Sequence, residues 1–173
     1  LRSGEYGRFL VALFDLWAGE RERQISVKLF DDLVLFLAGK PMRDCMHRAT
    51  CDSHLVAEQD GSVYPCDFFV TEEQRLGPIV GQGLPELRRT PQARAFRGRK
   101  AEERPAPCAE CRHFDICQAG CCKFWRPEAG GGFAQYLCED MRHFLDRRRP
   151  HLEQMASAIR ARWQQWDRQR AAG

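Results

Sequence analysis

The sequence predicts an α+β protein: an opening helical segment, a small hairpin-and-helix unit and a closing helical segment. Three observations carry this. Apolar residues recur at three- and four-residue steps at both ends, an Asp-Gly turn separates two short runs, and nine cysteines fall among 173 residues, most of them in two central groups. At 43% hydrophobic and 29% charged, the chain suffices for one ordinary domain or two small ones, and a disordered tail is excluded. No unbroken apolar stretch exceeds six residues, the length of Leu33 to Ala38, against the roughly 20 needed to cross a bilayer. No membrane span is expected. The opening residues Leu1-Arg2-Ser3-Gly4-Glu5-Tyr6 hold neither a starting methionine nor a secretory signal, so the chain reads as part of a longer one.

Tyr6, Phe9, Leu10, Leu13, Phe14 and Trp17 keep helical spacing and predict an amphipathic helix ending near Gly19. Ile25, Val27 and Leu29 alternate with Ser26, Lys28 and Phe30 and predict a short strand. Asp31 or Asp32 then caps a helix through Ala38, which Gly39 and Pro41 stop. Helix, strand and helix in succession is the rhythm of a parallel α/β layer, whose remaining strands this chain does not supply. From His54 to Gln59, then Asp60-Gly61, then Ser62 to Cys66, the pattern is a β-hairpin, because Asp-Gly supplies the positive φ angles of a tight primed turn. That hairpin brings Cys51 and Cys66 together at its open end.

Thr71 to Pro107 is a polar connector punctuated by glycine and proline, with a helix inside Leu84 to Ala101 that uses Leu87 and Phe96 as apolar contacts. Phe144, Leu145, Leu152, Met155, Ile159, Trp163 and Trp166 mark terminal helices, broken near Pro150, whose stripe packs on the protein. Arginine makes up 23 of the 27 basic residues, yet the arginines are interleaved with 24 acids and the net charge is only +3. This is the pattern of a solvated surface and excludes a nucleic-acid partner. One local excess, eight arginines against three acids from Met141 to Gly173, is a basic helix face.

Cysteine is the informative residue. An odd count without an export signal favours metal ligands over disulfides and a reducing, cytoplasmic setting. Cys45, Cys51 and Cys66 form one group, with five and fourteen residues between them; Cys108, Cys111, Cys117, Cys121 and Cys122 form a second, and Cys138 stands alone. From Pro85 to Phe124, forty residues, the only large apolar side chains are Leu87, Phe96, Phe114, Ile116 and Phe124. These cannot build a core, so the region is expected to collapse without metal, because thiolate coordination contributes on the order of 10 kcal/mol of folding free energy. Three readings compete: a four-thiolate zinc site from the second group, a single iron-sulfur cluster, or two cubane clusters. Only two cubanes use eight of the nine thiols, and spacing alone does not say which four share a cluster.

The run Cys45-x5-Cys51-x14-Cys66, then Cys108-x2-Cys111-x5-Cys117-x3-Cys121 and Cys138, resembles the SPASM domain of radical S-adenosylmethionine enzymes. More narrowly, residues 60–70 (Asp-Gly-Ser-Val-Tyr-Pro-Cys-Asp-Phe-Phe-Val) with Arg75-Leu76-Gly77 resemble anaerobic sulfatase-maturating enzymes, as do residues 5–10 and Phe30-Asp31. The resemblance implies the end of a partial (β/α) barrel over residues 1–40, a SPASM domain organised around two [4Fe-4S] iron-sulfur clusters over 41–140, and a helical segment over 141–173. It implies that Cys45, Cys51, Cys66 and Cys121 hold one cluster and that Cys108, Cys111, Cys117 and Cys138 hold the other. Cys122 falls outside both sets and reads as a small buried residue. Asp67, directly after a cluster cysteine, is implied as the proton acceptor when a sulfatase cysteine or serine is oxidised to formylglycine, the surplus electron leaving through the auxiliary clusters. By itself the residue could equally cap or orient the hairpin.

The chain departs from the family in lacking any Cys-x3-Cys-x2-Cys spacing, the loop whose third [4Fe-4S] cluster cleaves S-adenosylmethionine. On this reading it is the C-terminal portion of a full enzyme and does not generate a radical alone. Smaller departures are Gly77-Pro78, where the family more often has Gly-Asn, and Ala119-Gly120-Cys121, which lacks one glycine. The implied partners are a sulfatase polypeptide and, for the full enzyme, a flavodoxin or ferredoxin as reductant, with the chain a monomer. Two other functions stay open: the SPASM domain of a different peptide-modifying maturase, and a non-catalytic zinc-binding interaction module.

Overall fold

The computed structural model describes residues 4–19, 25–52 and 54–171. In chain order the helices are α1 (Glu5–Gly19), α2 (Lys28–Leu37), α3 (Leu84–Leu87), α4 (Pro91–Glu102), α5 (Phe114–Cys117) and α6 (Cys138–Ala171). The strands are β1 (Val56–Ala57), β2 (Ser62–Tyr64), β3 (Gly77–Pro78), β4 (Trp125–Pro127) and β5 (Phe133–Gln135). The chain divides into two compact units. The first is Leu1–Asp44, Asp115–Cys117 and Leu137–Gly173; the second is Cys45–Phe114 and Gln118–Tyr136.

The first unit buries the apolar stripes foreseen at the two ends of the chain against each other. Leu10, Phe14 and Trp17 of α1, Phe30, Leu33 and Val34 of α2, Ile116, and Phe144, Leu145, Leu152 and Ala156 of α6 form one core. The Phe14 ring meets Phe30 and Phe144 edge-on at 5.2 and 5.9 Å, the arrangement that the ring quadrupole favours. Gly7 sits in a close backbone approach: a Cβ there would lie 2.7 Å from the Asp140 carbonyl oxygen. Its N–H donates to Asp140 Oδ1 at 2.7 Å, so a buried carboxylate satisfies an orphan amide of the first turn of α1. Arg148 donates from Nε and Nη2 to the two carboxylate oxygens of Asp15 at 2.6 and 2.5 Å.

Two expectations in this unit are corrected. Residues 25–29 are not a strand: Val27 is extended, φ −108° and ψ 102°, and α2 begins at Lys28. An isolated strand would leave its backbone groups unpaired, whereas helix satisfies them locally. Asp31 and Asp32 accordingly lie inside the helix, where Ser26 Oγ donates to Asp31 and Lys28 pairs with Asp32. The closing segment is one helix with Pro150 inside it, because Phe144 and Leu145 before the proline and Leu152 and Ala156 after it enter the same core and outweigh the lost backbone bond.

The second unit is short on apolar mass, as the composition foresaw. Its cores are Val63, Leu76, Leu87 and Ala93, and separately Cys108, Ala119, Cys122 and Trp125. The hairpin forms with Val56 opposite Tyr64 and Ala57 opposite Val63, and β3 joins the far side of β2 to complete a three-stranded antiparallel sheet. Its turn differs from the primed form. Gly61 has φ +81° and Asp60 is not in the positive region; Gly61 N–H donates to Glu58 O and Glu58 N–H to Ser62 O, a turn closed by a glycine bulge. Asp60 instead accepts from the N–H and hydroxyl of Ser62, both at 2.9 Å. The helix expected inside Leu84 to Ala101 is α4, preceded by the short α3, and the two are separate since Pro91 biases Thr90 to extended backbone and Thr90 Oγ1 caps Ala93 N–H at 3.2 Å.

Candidate metal centre

Short turns and extended segments place the cysteines of the second unit. Cys45 opens a 3-10 turn through His47, and Cys51 donates its N–H to Arg97 O of α4 at 3.3 Å. Cys66 follows β2 in fully extended backbone, φ −162° and ψ 144°. Cys108 lies inside a proline-led 3-10 turn, Ala106–Glu110, and Cys111 ends it, the local loop that a C-x2-C pair needs.

Cys121 follows three consecutive left-handed residues, Gln118, Ala119 and Gly120, with φ of 48°, 60° and 63°. Such a run costs on the order of 1–2 kcal/mol per non-glycine residue and persists only where neighbours enforce it. Here the Trp125 indole and the Gln135 amide both donate to Ala119 O, at 2.9 and 3.0 Å.

The sulfurs of the first predicted set share one electrostatic neighbourhood. Burial, then the nearby Cys51 and Cys45 thiols, pushes the Cys121 thiol up from its ordinary value. Burial above all, with Asp67 and Cys121 adding to it, raises Cys66 to about 11. Cys122 is buried and its Sγ lies 3.9 Å from Cys51 Sγ; their hydrogen bond draws the Cys51 thiol down and pushes that of Cys122 up. Among the described residues no disulfide joins any of these cysteines. Reduced thiols are the soft donors that iron-sulfur clusters and zinc both take, so the chemistry of these residues suits such a group. Of the second predicted set, Cys108 and Cys111 lie in this unit, and Cys117 and Cys138 belong to the helical one.

Asp67 stands at the solvent edge of the first group. Its side chain is 62% exposed, with Oδ1 3.5 Å from His54 Nε2, and the Cys66 thiol donates to it at 3.4 Å. The Cys66 hydrogen bond first, then that of His54, holds the Asp67 carboxyl below the usual carboxylate range. His54, Cys66 and Asp67 place one ligand atom each within 4.8 Å of one another. The sequence reading singled out Cys66 and Asp67 and missed His54. The signal was available, because continuing the pairing of Val56 with Tyr64 by two residues sets His54 opposite Cys66.

An antiparallel hairpin feeding a cysteine-rich loop region that gathers several thiols defines a metallocluster-binding module, and residues 45–112 match the family model SPASM, an iron-sulfur cluster-binding domain. The chain carries that domain, and over most of its length it is homologous to the anaerobic sulfatase-maturating enzymes. A cysteine-type enzyme of Clostridium perfringens (strain 13 / Type A) is 33% identical over 167 residues, which are 92% of this chain and 44% of that one. A serine-type enzyme of Bacteroides thetaiotaomicron is 29% identical over 157 residues, 90% of this chain and 38% of that one. Among solved structures, native anSMEcpe with bound AdoMet and Cp18Cys peptide superposes with a TM-score of 0.80 at 30% identity, covering 89% of this chain and 43% of that one. The chain thus spans about two-fifths of the length of the curated relatives that it matches. Among the described residues no helix is long and apolar enough to cross a membrane.

Proposed function

We propose that this chain is the auxiliary-cluster portion of a cytoplasmic anaerobic sulfatase maturase that oxidises a sulfatase cysteine or serine to formylglycine, with flavodoxin or ferredoxin as reductant. The observation that carries the reading is the exposed Asp67 carboxylate beside the Cys66 thiol, itself grouped with Cys51, Cys45 and Cys121. Cys45, Cys51, Cys66 and Cys121 hold one [4Fe-4S] cluster. Assignment of Cys108, Cys111, Cys117 and Cys138 to a second rests on the family resemblance alone. When bound, such clusters accept single electrons at potentials set by burial, charge and hydrogen bonding.

The protein's own part is proton transfer and positioning. Asp67 is ionised at neutral pH and faces solvent, so it can take the thiol or hydroxyl proton of the target side chain once a Cβ hydrogen has been lost. His54, 3.5 Å from the same carboxylate oxygen, fixes which oxygen faces the site.

In the full-length enzyme, Asp67→Asn is expected to lower formylglycine formation by about 10²-fold or more, read by peptide mass spectrometry, while iron content stays unchanged. Full peptide oxidation by that variant would remove Asp67 from the mechanism. Metal content decides the class of the site. Chain reconstituted without oxygen should hold about eight iron and eight sulfide, as two cubanes require, and one or two zinc ions without sulfide would make it a structural module.

A further inference from the structure

We infer that Lys100 is a positioning residue of the first thiol group: it clamps the Cys45–Cys51 loop in its ligating form and sets a fixed positive charge beside the metal held there. The inference rests on the metal-binding reading above. Lys100 is only 4% exposed, and a buried ammonium is costly unless its surroundings compensate it. Its Nζ donates to Met46 O at 3.0 Å and to Arg48 O at 2.5 Å, two carbonyls inside the five-residue interval between Cys45 and Cys51. One turn earlier on α4, Arg97 O accepts the N–H of Cys51 at 3.3 Å. Positions three apart share a helix face, so one face of α4 holds the middle and the end of the loop.

The charge is fixed on the ligand loop itself, because both carbonyls that hold Nζ lie between Cys45 and Cys51. The neighbouring Arg99 guanidinium instead lies over the Phe69 and Phe96 rings at 4.9 and 5.4 Å. Lys100 is bound to the loop that carries two of the ligands. Adding an electron to a thiolate-bound cluster adds negative charge, and a buried cation in a low-dielectric setting stabilises that reduced form. Lys100 therefore raises the potential of the first centre, making it the better electron acceptor.

The test compares wild-type chain with Lys100→Met, of similar shape without charge, and Lys100→Arg, which keeps the charge. Each is loaded anaerobically with iron and sulfide, then read for iron per chain and by spin-resonance-monitored redox titration. The expected result is that Lys100→Arg titrates like wild type. In Lys100→Met the ratio of reduced to oxidised first centre falls about tenfold at fixed poise, which is about 59 mV for a one-electron couple. Lys100→Met that fails to load while Lys100→Arg loads normally also supports the clamp. Lys100→Met with wild-type iron and an unchanged ratio overturns the inference, as does equal loss in both variants. Wild-type chain that takes zinc in place of iron and sulfide refutes the cluster reading instead, and zinc retention by Lys100→Met against Lys100→Arg then decides the clamp.

Discussion

Ala119 and Gly120 show how a single backbone choice supports a ligand. A Cβ on Gly120 would meet Gln135 Nε2 at 2.2 Å while φ stays at +63°, so Gly120→Ala both strains the backbone and displaces the amide that donates to Ala119 O. The expected cost is about 1–3 kcal/mol, read as a lower urea midpoint and lower cluster retention. Ala119 pays the left-handed cost that a glycine at that position avoids. In the helical unit, Asp15 gives a pH dependence. Hydrogen bonds from Arg148 hold its carboxyl below the ordinary range, so the pair's contribution is complete at neutral pH and fades as pH falls through the depressed value, below about 4. Asp15→Asn should flatten that acid limb, measured as the helical unfolding midpoint between neutral and acid pH.

The helix α6 shows tertiary packing overriding local preference. Leu152 is fully buried beyond Pro150, and Leu152→Ala is expected to cost about 2–5 kcal/mol through transfer and cavity terms. Pro150→Ala restores a backbone donor in mid-helix and should raise stability, by up to about 3 kcal/mol; both are read by chemical denaturation. The same competition explains what the sequence could and could not disclose about the elements. α1 was legible because its stripe runs without a breaker from Tyr6 to Trp17. The hairpin was legible because Asp60-Gly61 has few alternatives, although in the actual turn only the glycine takes a positive φ. The strand read at Ile25 to Leu29 failed because alternation over five residues is also compatible with the run-in to a helix. The small β4–β5 hairpin, with Trp125 opposite Gln135, went unread because its strands are three residues long and joined through three consecutive glycines.

At the scale of the whole molecule, the two units depend on different forces. The helical unit has an aromatic and aliphatic core, whereas the cysteine-bearing unit has two small clusters of buried residues. Chelating the metal is expected to release hydrogen-exchange protection throughout Cys45–Phe114 while α1 and α6 keep theirs, because coordination energy on the order of 10 kcal/mol is folding energy there. That the cysteines fall into central groups was readable from count and spacing, whereas their division into two ligand sets came from the family resemblance alone. His54 was legible only through the strand register that sets it opposite Cys66, and Lys100 was not legible, since a helix face packed on a distant loop brings it in.

The pairing of α1 with α6 has a consequence for how the protein is made. Asp15 and its partner Arg148 are 133 positions apart, and a ribosome adding about 5–20 residues per second needs roughly 7–27 s to cover that distance. Throughout that interval Leu10, Phe14 and Trp17 have only α2 to pack against and lack the surface that α6 will supply. The nascent chain therefore presents a helical apolar stripe for seconds before it can close, a natural substrate for a chaperone at the exit tunnel.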